Sequence, residues 1–473
     1  MIAIRYSLWE HETSSVTIQS HLPAKFVRFI FAPWRNSHPV VNRLGLMLPT
    51  ILIWDLVLEV DNNLLPGWYH PMILVTVAIY PLLTLATISL LRVHHWSWMP
   101  QRLGARLLQG APLLFTLGLL IVATQVPAFL GAKANSQTDA SASIACAAQD
   151  VIHGRDPYLT PELACLHRFN IGAMVATPLQ RGPLAGFHAA PTNRQLQPIV
   201  QAASHHAYHS AAFPEFGYPP MSYVWLLPVA GGNHGEVVAW MLIGVMLWLA
   251  LVITFSGKLW PAAVLLMLLQ VDNNGLISGA IKGDAEFFCY ALMALSLICI
   301  DKAKTSATFM GLAIATNPLA WVVGVGYFFF IFKMNNVRSR FIWLFATPIV
   351  LCLPWLILEP KAMTGIIDLI RQPTFASGVG VIMLFGAAPA SILRFVLTLV
   401  SMGSMVLTEI VLQWRKEWWY ILPVIPTAFF WFSWRSNPAY LNEVFVLAVA
   451  MMVGMYRLAR QDVIPTTSDT FAV

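Results

Sequence analysis

The sequence predicts an all-α fold, a polytopic transmembrane helical bundle of about 12 spans with one long external loop between the third and fourth spans. Hydrophobic residues make up 58% of the 473-residue chain and charged residues only 11%, whereas soluble domains carry about a quarter charged residues. Because so few charges cannot cover a globular surface, lipid is expected to surround much of the chain. One hydrophilic stretch, 131–217, interrupts the apolar segments and predicts the external loop.

Apolar segments bounded by proline, glycine or charged residues predict the individual spans. Segments long enough to cross roughly 30 Å of hydrocarbon lie at 44–60, 71–92, 111–130, 237–256, 285–300, 341–358, 394–413 and 440–456. Shorter candidates lie at 218–230, 306–316, 319–332 and 418–432. The sequence thus divides into a cytoplasmic N-terminal segment, 1–43, and a transmembrane domain, 44–473, that includes the external loop.

The distribution of basic residues predicts the orientation, since cytoplasmic loops carry an excess of Lys and Arg. The clusters that this rule assigns to the cytoplasm are Lys25, Arg28, Arg35 and Arg43; Arg92, Arg102 and Arg106; Lys302 and Lys304; Lys333, Arg338 and Arg340; Arg415 and Lys416; and Arg457 and Arg460. Both termini are then cytoplasmic and the loop 131–217 is external. We assign the net charge of +6 to these loops and expect no nucleic-acid partner, because no run of Lys and Arg exceeds two residues.

One segment, 259–283, fits this scheme least well. An apolar run that is too short to span ends in the polar stretch 270–274, and a second short run leads to Lys282. This pattern is typical of a broken or re-entrant pair of half-helices, which membranes tolerate where the break lines a cavity or packs on protein.

The start of the external loop holds the most informative polar residues. A helix is predicted over 140–152, with Asp139 as its N-cap. We expect Asp150 to face water and Asp156 to make a turn with the proline that follows it. Cys146 and Cys165 share the loop; a disulfide and two unpaired thiols are both compatible with the sequence.

The order of motifs resembles the GT-C superfamily, and within it the bacterial mannosyltransferase-type members that use polyprenyl-phosphate sugars. The resemblance consists of Asp139 just past a span, Gly154-Arg-Asp-Pro-Tyr158 some residues later, Tyr218-Pro-Pro220 at the head of the next helix and the polar break 270–274. Two spans precede the span that leads into the loop, whereas the family usually begins with that span. The resemblance implies a membrane hexosyltransferase of the bacterial plasma membrane, whose catalytic carboxylate is Asp139.

The chemistry of such a transfer assigns roles to further residues. The acceptor hydroxyl must lose its proton to a carboxylate, here Asp139, as it attacks the anomeric carbon. The leaving phosphate needs cationic or hydrogen-bonding partners, and the candidates are Arg155, His205, His206, Lys282 and Arg435. Tyr158 ends the motif Gly154–Tyr158 and Tyr218 begins the motif Tyr218–Pro220, and both tyrosines are predicted to bind substrate. The partners are a polyprenyl-phosphate sugar donor, a glycan or glycolipid acceptor and the bilayer, without a cofactor.

Three alternatives accompany this hypothesis. His205 and His209 have the four-residue spacing of zinc ligands, but no HExxH motif accompanies them, so we predict no metal. The broken segment 259–283 and the intramembrane Asp55 are also compatible with a transporter or flippase of lipid-linked intermediates. A scaffold that has kept the fold without the activity is the third alternative.

Overall fold

The computed structural model describes residues 138–169, 171–172, 184, 186–187, 192–205, 216–260, 263, 276–285, 288–358, 377–378, 380–385, 391–414, 422, 425–433, 435–436 and 438–460. This part of the chain is helical, apart from one parallel pairing of two-residue strands. It therefore confirms the predicted all-α class.

The elements are numbered in chain order. The helices of the loop and its exit are α1 (Asp139–Ile152), α2 (Glu162–Arg168), α3 (Asn193–His205) and α4 (Met221–Val224). The helices that follow are α5 (His234–Ser256), α6 (Leu276–Lys282), α7 (Phe288–Ile298), α8 (Ala303–Ile314), α9 (Leu319–Ile331), α10 (Val337–Leu358), α11 (Ser391–Trp414), α12 (Ile425–Phe432) and α13 (Pro438–Arg460). The strands are β1 (Ser377–Gly378) and β2 (Arg435–Ser436), with Ser377 opposite Arg435.

Helix α7 forms the centre of the bundle. Every residue of this helix is buried, and it packs against α5, α6, α8, α9 and α13. Its sequence is apolar on all sides, the pattern expected of a helix enclosed by others. Gly454 of α13 lies directly against the carbonyl oxygen of Leu297, so any larger residue there would push α13 away from α7.

The polar groups inside the bundle satisfy one another, as burial requires. The Ser296 hydroxyl donates to the Ser306 carbonyl oxygen at 2.8 Å, and the Ser306 hydroxyl donates to the Ser296 carbonyl oxygen at 2.8 Å. The Tyr327 hydroxyl lies 2.7 Å from the Ser306 hydroxyl. These bonds fix the relative positions of α7, α8 and α9.

One end of the bundle, here called the basic end, collects three of the clusters predicted to be cytoplasmic. Arg457 pairs with Asp301 at 2.6 Å and donates to the carbonyl oxygen of Phe255. Arg340, 2% exposed, donates to the carbonyl oxygen of Ile300 at 2.6 Å. The Lys302 ammonium lies 5.1 Å from the centre of the Phe255 ring. Basic residues that are far apart in sequence therefore converge at one end of the molecule.

Helix α5 connects the basic end with the opposite end, here called the loop end. Its last turn contains Phe255. Its first turn faces the end of α6: a β-carbon added to Gly283 would lie 3.4 Å from Val237 Cγ1. At about 1.5 Å per residue, the 23 residues of α5 are long enough to cross a bilayer. Helix α10 runs in the opposite direction, from Arg340 to the aromatic residues of the loop.

Two described helices are long and apolar enough to span a membrane, over His234–Ser256 and Val337–Trp355. Both expose large hydrophobic side chains, for example Met246 at 65% and Val350 at 66%, which suits contact with lipid rather than water. The described parts of the other predicted spans after the loop are helical, with 218–230 interrupted, but the number of crossings and their direction stay predictions. The first three predicted spans, the segment 1–43 and Asp55 lie outside the described residues.

Two segments depart from continuous helix. The candidate span 218–230 consists of the four-residue α4 and a 3-10 turn at Leu227–Val229. Prolines interrupt this segment, because proline has no amide hydrogen to donate to the preceding turn. Within 259–283 the described α6 has only seven residues, which suits the predicted half-helix; residues 264–275 lie outside the description.

Candidate functional site

The first turn of α1 presents the predicted catalytic residue. Thr138 is the N-cap: its hydroxyl accepts from the Ser141 amide at 3.0 Å, and the Ser141 hydroxyl accepts from the Thr138 amide at 2.8 Å. Asp139 therefore occupies the first helical position, and the prediction that Asp139 is the cap is wrong by one residue. Asp139 is partly exposed and lies in the first turn of the helix, where its Oδ1 accepts from the Ala140 amide at 2.9 Å.

The start of α1 contacts the end of α6. The Thr138 hydroxyl donates to Asp284 Oδ2 at 3.1 Å, and Asp284 is 2% exposed. Gly283, with φ of 73°, closes α6: the Asp284 amide donates to Gly279 O and the Gly283 amide to Ala280 O, as in a Schellman motif. The half-buried Lys282, a predicted phosphate partner, is thus two residues from the Thr138–Asp284 contact.

Asp150 is fully buried, so the prediction that it faces water is wrong. Its Oδ1 lies 2.7 Å from Arg155 Nη2 and 3.1 Å from Arg168 Nη1, and its Oδ2 accepts from the Thr160 hydroxyl at 2.7 Å. Two guanidinium groups and a hydroxyl offset the desolvation of this carboxylate. Arg155, a predicted phosphate partner, pairs with Asp150 while its side chain is 58% exposed.

A disulfide between Cys146 and Cys165 joins α1 to α2. This settles the alternative that the sequence left open. The bridge and Arg168 both fasten α2 to the same face of α1. This part of the loop is therefore held by a covalent bond and by an ion pair.

Aromatic residues join the two tyrosine motifs. The fully buried Tyr158 donates its hydroxyl to the Tyr218 carbonyl oxygen at 3.1 Å, and its ring centre lies 5.4 Å from that of Phe216 and 6.2 Å from that of Trp355. Burial raises the pKa of the Tyr158 phenol, so the hydroxyl stays a donor. The role that this arrangement assigns to Tyr158 is positioning of the half-buried Tyr218.

The turn before Tyr158 is formed as predicted. Asp156 caps a 3-10 turn at Pro157–Leu159, and its Oδ1 accepts from the Tyr158 amide at 2.9 Å. The motif Tyr218–Pro220 leads into α4, where the Met221 amide donates to Ala315 O at 2.9 Å. The loop exit is therefore attached to the turn between α8 and α9.

A cavity of about 300 Å³ lies at the loop end, between α1, the end of α2 and the first turn of α5. Helix α1 contributes Ser141, Ala145, Ala148 and Gln149; the other walls include Arg168, Phe169, Leu226, Val229, Asn233, His234 and Val237. Successive helical residues are roughly 100° apart, so Asp139 shares its face of α1 with Cys146 and Asp150. The cavity lies on roughly the opposite face.

For Arg435 and the histidines of the loop, the structure gives an approximate position or none. The backbone of Arg435 pairs with Ser377 just before α13, and α13 ends at the basic end, so Arg435 lies toward the loop end. His205 ends α3, whereas His206 and His209 lie outside the described residues. Among the residues that are described, no group of three His, Cys, Asp or Glu side chains could hold a metal ion.

Sequence reasoning missed the roles of Thr138, Asp284, Arg168 and His234. The only signal for Asp284 was its position beside Lys282 and Gly283 at the broken segment. Arg168 gave no signal, because nothing in its neighbourhood marks it as a partner of a carboxylate 18 residues away. Comparison of the chain with protein-family models, with curated proteins and with solved structures finds no match.

Proposed function

We propose that this chain is a membrane glycosyltransferase of the GT-C type. It would move a sugar, mannose by resemblance, from a polyprenyl-phosphate donor to a lipid-linked or cell-envelope glycan on the external face of a bacterial plasma membrane, with both termini in the cytoplasm. Asp139 would act as the general base, and the chain would need no cofactor.

The observation that carries the proposal is the position of Asp139. Asp139 begins a helix at the loop end and is partly exposed, and the preceding Thr138 bonds to Asp284, two residues after Lys282. A partly exposed acidic residue at this end suits a reaction whose donor phosphate lies at the membrane surface. The bond from Tyr158 to Tyr218 further supports the proposal, because it joins two motifs on which the resemblance rests.

The chemical step requires one base and a stabilised leaving group. The acceptor oxygen forms a bond to the anomeric carbon while its proton passes to Asp139, and the bond from the anomeric carbon to the phosphate oxygen breaks. The electron pair of that bond leaves with the polyprenyl phosphate. Lys282 and Arg435 are the cations proposed to stabilise this phosphate.

The test is sugar transfer by Asp139→Asn in isolated membranes, with polyprenyl-phosphate mannose as the labelled donor. Loss of a general base typically lowers the rate about 10²- to 10⁴-fold, and we expect a loss in that range at unchanged protein level. The matched control is Asp156→Asn, because asparagine also caps such a turn; it should keep near-wild-type transfer.

Two outcomes would contradict the proposal. One is a wild-type rate for Asp139→Asn. The other is movement of the labelled lipid into sealed vesicles by the wild-type protein without any product of altered mass, which would indicate the transporter alternative.

A further inference from the structure

The cavity at the loop end has no role in the proposed transfer step. It lies on the face of α1 formed by Ser141, Ala145 and Ala148, and at about 100° per residue Asp139 falls on roughly the opposite face. An α-helix with its side chains is about 10 Å wide. The helical positions of α1 thus place the hydroxyl that reacts at Asp139 on the other side of this helix from the cavity, which leaves the cavity open to a different group.

The walls of the cavity combine polar and apolar groups. Gln149, Arg168, Asn233 and His234 provide planar polar side chains that hydrogen-bond in fixed directions, with donors and acceptors among them. Leu226, Val229, Val237 and the ring of Phe169 provide apolar surface. A sugar ring has the matching chemistry, since its hydroxyl groups project from the edge and its C–H bonds form apolar faces.

The charges around the cavity favour a neutral ligand over an anion. The Arg168 guanidinium is paired with Asp150, which also pairs with Arg155. Near the first turn of α5, Glu236 Oε1 accepts from Asn233 Nδ2 at 3.1 Å and adds a negative charge. Of the Arg and Lys residues, the cavity wall contains Arg168, and Lys282, which precedes the wall residue Gly283, is not part of it, so positive charge is not concentrated in the wall as it would be in a phosphate site. The volume of about 300 Å³ lies at the lower end of the range for small-molecule sites, about 300–1,000 Å³, and suits a single ring.

We propose that this cavity binds one sugar ring of the acceptor glycan, at a unit other than the one whose hydroxyl reacts. The proposal rests on the proposed function and adds to it that the acceptor contains at least two sugar units. One unit lies at Asp139, and another reaches around the start of α1 into the cavity. Binding there would select the acceptor by a sugar that the reaction leaves unchanged.

Binding of free saccharides tests the proposal without requiring turnover. The probes are the methyl glycosides of mannose, glucose, galactose and arabinose, observed by saturation-transfer difference NMR with the full chain in nanodiscs. We expect transfer to at least one glycoside from the wild-type protein. A signal at least fivefold weaker is expected from Ala145→Leu, since leucine fills the cavity. Ala239→Leu is the matched control, because Ala239 is exposed on α5 and outside the cavity.

A second variant, Gln149→Ala, removes a polar group without filling the cavity and provides the test where Ala145→Leu does not fold. No signal from any of the four glycosides would overturn the proposal. So would equal signals from the wild-type protein and the folded cavity variants, or displacement of the glycoside by millimolar inorganic phosphate, which would indicate an anion site.

Asp139→Asn separates this inference from the proposed function. This variant should bind the glycoside like the wild-type protein and fail only in transfer. With a disaccharide acceptor, Ala145→Leu should raise KM at least tenfold at unchanged kcat. Saccharide binding by a wild-type protein that transfers nothing would overturn the proposed function and leave the saccharide site standing. Transfer with an unchanged KM in Ala145→Leu would overturn the saccharide site alone.

Discussion

Both ends of the bundle pair a buried carboxylate with arginine, but the arginine side chains differ in how exposed they are. At the loop end, the side chains of Arg155 and Arg168 are 58% and 32% exposed although both pair with Asp150. At the basic end, the side chain of Arg457 is 19% exposed. Arg457 donates both to Asp301 and to the last turn of α5.

The two ends also differ in which helix termini they contain. Helices α5 and α7 end at the basic end, where their last carbonyl oxygens attract cations. Arg457 donates to the carbonyl oxygen of Phe255 in the last turn of α5, and Arg340 donates to that of Ile300 just after α7. Helices α1 and α5 begin at the loop end, where Thr138 and Asn233 cap their free amides. Arginines join helices at both ends, but those of the loop end are more exposed, and Arg168 also lines the cavity.

The largest effect is expected from Arg457→Met at the basic end. This change leaves the Asp301 carboxylate, 1% exposed, without its guanidinium, and breaking a buried pair costs about 3–5 kcal/mol. The denaturation midpoint in detergent should fall accordingly. The double variant Arg457→Met with Asp301→Leu should recover most of the loss, and a double variant no more stable than the single one would contradict a structural role for this pair.

The disulfide of the loop end should have the next largest effect. Replacing Cys146 and Cys165 by serine removes a bridge across 19 residues of sequence, and such bridges contribute about 2–4 kcal/mol. We expect faster proteolysis between α1 and α2 in the double variant. Reduction of the wild-type protein should give the same cleavage pattern. An unchanged cleavage rate after reduction would show that the ion pairs of Asp150 alone hold α2.

A smaller effect is expected from Thr138→Ala at the start of α1. Loss of an N-cap typically costs about 1 kcal/mol, and here it also removes the bond to Asp284. Thr138→Ser keeps both bonds and is the matched control. Sugar transfer by the alanine variant should fall more than its stability would explain, because Asp139 loses its fixed position; parallel losses would indicate a structural role alone.

The smallest effect is expected from Tyr158→Phe, which removes one hydrogen bond to the Tyr218 carbonyl oxygen, about 0.5–1.5 kcal/mol. Burial raises the pKa of Tyr158 in the folded protein, while the phenol of the unfolded chain has a pKa of about 10. The phenol's contribution to stability is therefore complete below about pH 10 and is lost as the pH rises further. Raising the pH from about 8 to about 11, about one unit above the pKa of the unfolded phenol, should lower the unfolding midpoint of the wild-type protein. The midpoint of the phenylalanine variant should fall less.

The sequence predicted the longest helices after the loop because their apolar runs are long. The span predicted at 237–256 is α5, and the run predicted at 394–413 is α11. The helix predicted over 140–152 is α1, shifted only by its cap. Lipid and protein interior impose the same apolar pattern on a helix, so the pattern gives the helices but not the number that cross the membrane.

The candidate site was less predictable, because its contacts join distant residues. Thr138 and Asp284 are 146 positions apart, and no local pattern relates them. Asp150 was expected to face water, and its partner Arg168 lies on another helix, 18 residues away. The cavity has no sequence signal either, since it forms where α1, α2 and α5 meet.

The most direct test of the claim that the loop end carries the reaction compares two variants in one assay. Sugar transfer from polyprenyl-phosphate mannose is measured per folded molecule for Asp139→Asn and for the double variant Arg457→Met with Asp301→Leu. We expect a loss of about 10²- to 10⁴-fold for the first and wild-type turnover for the second. Comparable rates for the two variants would contradict it.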